Sequence, residues 1–365
     1  MWFNKNDISI SKSILLDDLH GYVLPHAGTK HTGHIISHTL RFKPKKEFSK
    51  VIILYYPSQS KPNVNGKWFH EYYVPWKSLD HVFKTYWNLS DINFVGYNLN
   101  SISVNLSYFD VQNTLIVVSA DFSHYIPMEY AIELENKAAH SLMFNDFKKS
   151  NYINVVDDVK SFKQLYHIMK TKNLNLQWVG RTRSQGLEAV GYLSFLIREI
   201  IDPSLKKPDG MFVTVYDKKM NTRECLGEWF FTKTWNKTIE KNLIQKVINR
   251  GKSPSRLSPH LNEKNLPKNK IIDLSNYTIT YLYKDDKPFI RGWHGVMRES
   301  FFLPDVFLEN TYNNGIWIHP YDKSWKPGNR FYMRETLNKL KQKAKSINND
   351  NNYEVYSSNV VHFKL

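Results

Sequence analysis

The sequence predicts two domains: an α/β layered domain with a central sheet over residues 1–203, and an α+β domain over residues 204–365. Three observations carry this. At 365 residues the chain exceeds what one ordinary hydrophobic core supports. Strand-like apolar runs alternate with helical spacing in the first half, whereas the second half mixes the two without strict alternation. Between them lies Asp202-Pro203-Ser204-Leu205-Lys206-Lys207-Pro208-Asp209-Gly210, rich in turn formers and lysine, and the clearest break in the chain.

In chain order, Gly21–Pro25 and Val51–Tyr56 read as buried strands, with a short helix over Gly33–Leu40 between them. Thr114–Ser119 is apolar without interruption, which predicts a central strand of a parallel or mixed sheet. Glu133–Asn145 and Lys160–Met169 have helical spacing, and Leu187–Ile201 reads as a longer amphipathic helix stopped by Asp202-Pro203. Beyond the break, Met211–Tyr216 and Leu226–Phe231 form two strands around a polar turn. Thr238–Asn249 is an amphipathic helix, and Tyr277–Tyr283 alternates as a strand. Arg291–Met297 is strand-like, Phe302–Val306 opens a helix with Pro304 in its first turn, and Arg334–Ser346 is a basic helix. Tyr353–Phe363 returns as a last strand.

Composition narrows the function. Hydrophobic residues make up 41% and aromatics 15%, enough for packed cores and too much for a disordered chain. No apolar run reaches bilayer length, and Met1–Ser13 lacks a signal-peptide core. A single cysteine excludes an internal disulfide and fits a reducing compartment, so the expected location is cytoplasmic, with no membrane partner. The net charge of +16 divides as +11 beyond residue 200 and +5 before it. A basic half attracts polyanions, but its lysines are scattered, and the interleaved aromatic and basic motif of nucleic-acid modules is missing.

Three groups of residues carry chemistry. The first is His26, His31, His34 and His38; the last two stand four apart on one helical face, where metal ligation competes with plain surface polarity. The second is Asp121 and His124, just past Thr114–Ser119, at the strand end where open α/β sheets place their sites. The third is Cys225, beside Arg223 and before Gly227. A guanidinium favours a thiolate and a glycine bares the backbone, so the group suits a nucleophile; a small buried thiol is the plainer alternative. For Arg181 and Arg183 surface placement is expected over an anion clamp, and for Trp178, Trp229 and Trp293 a core or domain-interface place over a ligand cage.

Several segments of the first half carry a family resemblance: LPHAGTKHTGHIISHTLRF, VIILYYPSQS, LNSISVNLSYF, VVSADFSHY and VGRTRSQGLEAVGYLSFLI, in that order. Over roughly residues 17–200 they resemble the Memo family, which shares its fold with class III extradiol dioxygenases. The resemblance implies a central sheet flanked by helices and a metal-capable cleft at the strand ends. His26 stands at the family's first histidine, and Asp121 and His124 stand in its Asp-Phe-Ser-His block. Departures are many. Gln59 replaces a histidine, Asn100 and Asn105 replace two more, Ser103 replaces a glutamate, and Val179 replaces a cysteine. Amides bind transition metals poorly and valine not at all. The resemblance therefore implies a degenerate cleft in which His26, Asp121 and His124 hold iron, copper or zinc at most weakly.

The second half resembles the AMMECR family over most of residues 205–365. The matching segments are GMFVTVYDKKMNTRECLG, NRGKSPSRLSPHLNEKNL, NYTITYLY, GWHGVMRESFFLPDV and YEVYSSNVVHF. The family's Arg-Gly-Cys-Ile-Gly signature stands here as Arg223-Glu224-Cys225-Leu226-Gly227, and His294-Gly295 matches another recurrent position. Memo-like and AMMECR-like proteins are associated with a radical-SAM partner in AmmeMemoRadiSam systems. The chain thus resembles a fusion of two cooperating parts. One cysteine cannot hold an iron–sulfur cluster, so a radical enzyme would be a separate protein.

Three functions stay open at this stage. One is group transfer at Cys225, with Arg223 favouring the thiolate and His294 as acid or base. The second is a non-catalytic adaptor built on two inherited folds. The third is a basic nucleic-acid-binding protein.

Overall fold

Thr114–Ser119, the most continuously apolar run, forms a strand buried along its whole length inside a six-stranded mixed sheet. The computed structural model describes residues 2–10, 13–57, 70–99, 110–143, 155–184, 189–218, 222–230, 232–253, 273–284 and 356–365. Gln59, Asn100, Ser103, Asn105 and His294 lie outside the described residues, as do Trp293, the expected strand Arg291–Met297 and the expected helices at Phe302–Val306 and Arg334–Ser346. The chain has mixed α/β content with several sheets, and it clusters into two units that divide after Glu199.

The first unit contains β1 (Ile14–Leu16), β2 (Leu19–Leu24), α1 (Thr29–Leu40), β3 (Phe42–Pro44), β4 (Lys50–Tyr55), α2 (His70–Val82) and β5 (Asn93–Asn98). It continues with β6 (Thr114–Ser119), α3 (Met128–Met143), α4 (Val159–Lys172), β7 (Leu174–Arg183) and β8 (Gly191–Glu199). The large sheet runs β5-β4-β6-β2-β8-β7. Its first four strands are parallel, and β8 and β7 close it antiparallel. At Gly21 a Cβ would stand 1.8 Å from the carbonyl oxygen of Ile116, so the β2–β6 contact requires glycine.

Alternation along the strands separates the two faces of the sheet. Tyr22, Leu24, Val51, Ile53, Leu115 and Val117 share one core with Ile36 and Leu40 of α1 and Tyr72 and Leu79 of α2. On the other face Phe195, paired with Val23, meets Phe122, which in turn packs on Phe162 of α4. Each aliphatic side chain buried this way contributes about 1.5–3 kcal/mol, which is why both faces of β6 are apolar. The chain thus leaves β2 towards one face, through α1, and after β6 reaches α4 on the other. Adjacent parallel strands whose connections diverge open a crevice at their C-terminal ends.

The expected helix over Leu187–Ile201 is a strand, β8. Its residues Tyr192 to Ile197 are all buried, Leu196 in the core shared with α1 and Phe195 towards α4. A segment apolar on both sides shows no strand alternation, and the pattern left a helical stripe in its place. Arg181 and Arg183 on β7 are buried as well, not at the surface, and His34 and His38 of α1 are buried against expectation. Trp178 is buried as expected.

The second unit is a four-stranded antiparallel sheet, β10-β9-β11-β12, made of β9 (Gly210–Asp217), β10 (Thr222–Trp229), β11 (Leu274–Lys284) and β12 (Tyr356–Lys364). Helix α5 (Lys237–Gly251) starts at Asn236, whose side chain accepts from the Ile239 amide. Its Leu243 and Val247 bury against Met211, Val213, Val215 and Ile279.

Candidate metal centre

The crevice between β2 and β6 holds the chemistry of the first unit. Two residues past β2 stands His26, and two past β6 stands Asp121, both almost fully buried. The main-chain amide of His26 donates to Asp121 Oδ1 at 2.9 Å, so the two strand ends are tied together directly. His26 Nε2 lies 3.6 Å from Asp121 Oδ2 and 2.9 Å from Asp157 Oδ2. Asp157 is placed by two further bonds: its Oδ1 accepts from the Asp121 amide at 3.0 Å, and its own amide donates to the Asp121 carbonyl at 3.1 Å. The next residue, Asp158, starts α4 by accepting from the Ser161 amide at 2.8 Å.

The far side of the His26 ring is fixed as well. Nδ1 lies 3.0 Å from Ser119 Oγ, and that hydroxyl donates to the main-chain carbonyl of Glu71. With its hydrogen committed there, Ser119 accepts from Nδ1–H, which turns Nε2 towards the two carboxylates; in the protonated ring Nε2–H donates to Asp157 Oδ2, and a bound ion would take the place of that proton. His70 and Glu71, at the start of α2, complete the ring of donors. His70 Nδ1 is 3.2 Å from Glu71 Oε2, and the His26 and His70 rings meet edge to face at 5.2 Å. One donor atom each from His26, Asp121 and Asp157 falls within 4.8 Å of the others, as does one each from His26, His70 and Glu71.

Electrostatically this is a cation site. Burial opposes an imidazolium at His26, yet the carboxylates of Asp121 and Asp157 overcome it and raise its pKa to about 10. Burial pushes Asp121 up to about 6, with His26 working in the opposite direction. Burial also lowers His70, helped by the neighbouring His26. His124, the third residue expected here, stands at the edge: Nδ1 donates to the Phe122 carbonyl at 2.6 Å, and Nε2 is 4.0 Å from Asp157 Oδ2. The indole of Trp2 stacks on His70 at 4.7 Å, and the Trp2 carbonyl accepts the first amide of α1, whose N-cap, Gly28, has no side chain to do so.

The structure therefore brings His26 and Asp121 together, with His124 beside them. It adds Asp157, His70 and Glu71, which sequence reasoning missed. A pair of acids immediately before a helical run was the available signal for Asp157. His31, His34 and His38 belong to neither donor group among the described residues. Val179 is a core residue packed with the α1 face.

The loop that carries Asp121 and His124 is clamped from behind. Gly191 exchanges main-chain bonds of 2.8 Å with Phe122 and Ser123. Arg183 Nη1 donates to Ser123 Oγ at 3.0 Å and to Glu135 Oε1 at 2.8 Å, while Arg181 Nη2 reaches Glu135 Oε2 at 2.7 Å. A Cβ on Gly191 would stand 1.9 Å from Glu135 Oε1, so any larger residue would have to push that carboxylate away from the two arginines.

In the second unit Cys225 is half-buried on β10, one of the sheet's two edge strands, and its Sγ accepts from Thr214 Oγ1 at 3.2 Å. Glu224 pairs with Arg250 at 3.1 Å and accepts from the Cys225 amide at 3.2 Å. Arg223 is buried at a register shift between Thr222 and Glu224. No family model matches the chain, and no curated protein matches it.

Proposed function

We propose that the first unit is a metal-dependent catalytic domain whose divalent ion is held by His26, Asp121 and Asp157. The observation that carries this is the convergence of one buried imidazole nitrogen and two carboxylates in the β2/β6 crevice, with the imidazole ring oriented by Ser119. One nitrogen with two oxygens suits iron(II), zinc or manganese better than copper(I), and it leaves coordination positions open for substrate. When bound, such an ion supplies Lewis-acid polarisation of a substrate oxygen. The chain's own residues do the rest: Ser119 holds the His26 tautomer, Asp157 is oriented by the Asp121 amide, and Trp2 shields His70.

On this reading the first unit is a Memo-like domain that keeps His26 and Asp121 and draws its third donor from Asp157. The second is an AMMECR-like domain, and the whole is a two-domain fusion that works with a separate radical-SAM protein. Anaerobic titration with cobalt(II), followed by visible absorption, tests the centre. A ligand-field band that saturates at one equivalent and is lost in His26→Ala supports it; no band in the folded wild-type protein rejects it.

A second reading places group transfer at Cys225. It is favoured by the Thr214 hydrogen bond to the sulfur, which stabilises a thiolate, on a side chain that is partly accessible.

A further inference from the structure

His26 belongs to two trios of donors. The first, with Asp121 and Asp157, is the proposed iron, zinc or manganese centre. In the second, one donor atom each from His26, His70 and Glu71 lies within 4.8 Å of the others. His70 and Glu71 open α2, and this turn is held on several sides. The Glu71 carbonyl accepts the Ser119 hydroxyl, which ties α2 to the end of β6. The Trp2 indole lies on the His70 ring at 4.7 Å, 17° from parallel, and the His26 ring meets it edge to face at 5.2 Å. Stacking holds the His70 ring by its face and leaves its nitrogens, whose lone pair and hydrogen lie in the ring plane, to polar partners. Its Nδ1 stands 3.2 Å from Glu71 Oε2. The Glu71 side chain is fully buried, while His70 keeps 23% of its side-chain surface exposed, so an ion has a way in.

The two trios differ in chemistry. One imidazole with two carboxylates is an oxygen-rich set, whereas two imidazoles with one carboxylate form a nitrogen-rich set of the kind copper(II) and nickel(II) prefer. Ser119 takes the Nδ1–H of His26, so Nε2 is the one nitrogen that His26 offers to either set. A single nitrogen lone pair binds a single ion, and the trios therefore exclude each other.

We propose that His26, His70 and Glu71 form a second metal site, selective for a nitrogen-preferring divalent ion, copper(II) or nickel(II), and that this ion competes for His26 with the ion of the first trio. The second site stands on its own trio; the competition rests on the first trio binding an ion as well.

The test titrates the full chain with copper(II) and counts the coupled nitrogens by electron paramagnetic resonance. Two nitrogens are expected at one equivalent in the wild type and equally in Asp157→Asn. His70→Phe keeps a ring for Trp2 to stack on and removes both nitrogens; it is expected to reduce the pattern to one nitrogen or abolish tight binding. Manganese(II) probes the first trio: its uptake is expected to survive His70→Phe, to be lost in Asp157→Asn, and to be blocked by prior copper(II). A single coupled nitrogen or no bound copper(II) in the wild type would overturn the second site, and so would two nitrogens that persist in His70→Phe. Manganese(II) bound alongside copper(II) would overturn the competition. If manganese(II) does not bind while copper(II) gives the expected pattern, the first centre fails and the second site is supported.

Discussion

The imidazole of His26 and the carboxylate of Asp157 meet at 2.9 Å, although one follows a strand and the other precedes a helix. Such a meeting depends on the sheet order. Because β2 and β6 are neighbours whose connections part to opposite faces, the end of β2 and the start of α4 open into one crevice.

The loop behind that crevice depends on a buried charge cluster in which Arg181 and Arg183 share Glu135. Glu135→Gln removes the carboxylate and leaves two guanidinium groups buried side by side. Breaking a buried pair from one side costs about 3–5 kcal/mol. Urea denaturation is expected to show a loss of that order, and a change below about 1 kcal/mol would contradict it.

His34, buried in α1, has its pKa pushed down to about 3 by burial. In the unfolded chain a histidine titrates near 6.5. As pH falls below that value the unfolded state takes up a proton that the folded state refuses. This contribution to stability is therefore intact above about pH 6.5 and is lost progressively towards pH 3, at about 1.4 kcal/mol per pH unit. Denaturation curves between pH 6 and pH 4 should be shallower in pH dependence for His34→Gln than for wild type by that slope. Identical slopes would contradict this.

For Cys225, the Thr214 hydrogen bond makes a specific demand. Thr214→Val should slow alkylation by iodoacetamide at neutral pH by about 2- to 10-fold, the worth of one hydrogen bond. An unchanged rate, or a thiol that reacts only after unfolding in urea, would count against a thiolate site.

Much of this architecture is legible in the residues. β6 is an unbroken apolar run, and its central place follows from needing cover on both faces. β9, β11 and α5 carry clean turn, alternation and amphipathic signals and form where those signals lie, whereas β10 starts at Thr222, four residues before the apolar run at Leu226 that marks it. β8 is not legible, because two-sided burial erases the alternation that marks a strand. Arg181 and Arg183 mislead for a related reason: a single chain gives no sign that Glu135 waits to receive them. At the candidate centre, His26 and Asp121 can be read from their positions past apolar strands. Asp157, His70 and Glu71 stand at helix starts and come together only in three dimensions.

The central claim is that this crevice binds a metal ion through His26, Asp121 and Asp157. Elemental analysis of protein purified without chelators and reloaded with iron(II) or zinc tests it most directly, with Asp157→Asn and His26→Ala beside the wild type. Near one equivalent in the wild type is predicted. The variants should weaken affinity by more than the roughly 10–100-fold that outer-shell partners contribute. Wild-type protein that stays free of metal after reloading, or variants that retain a full equivalent, would contradict it.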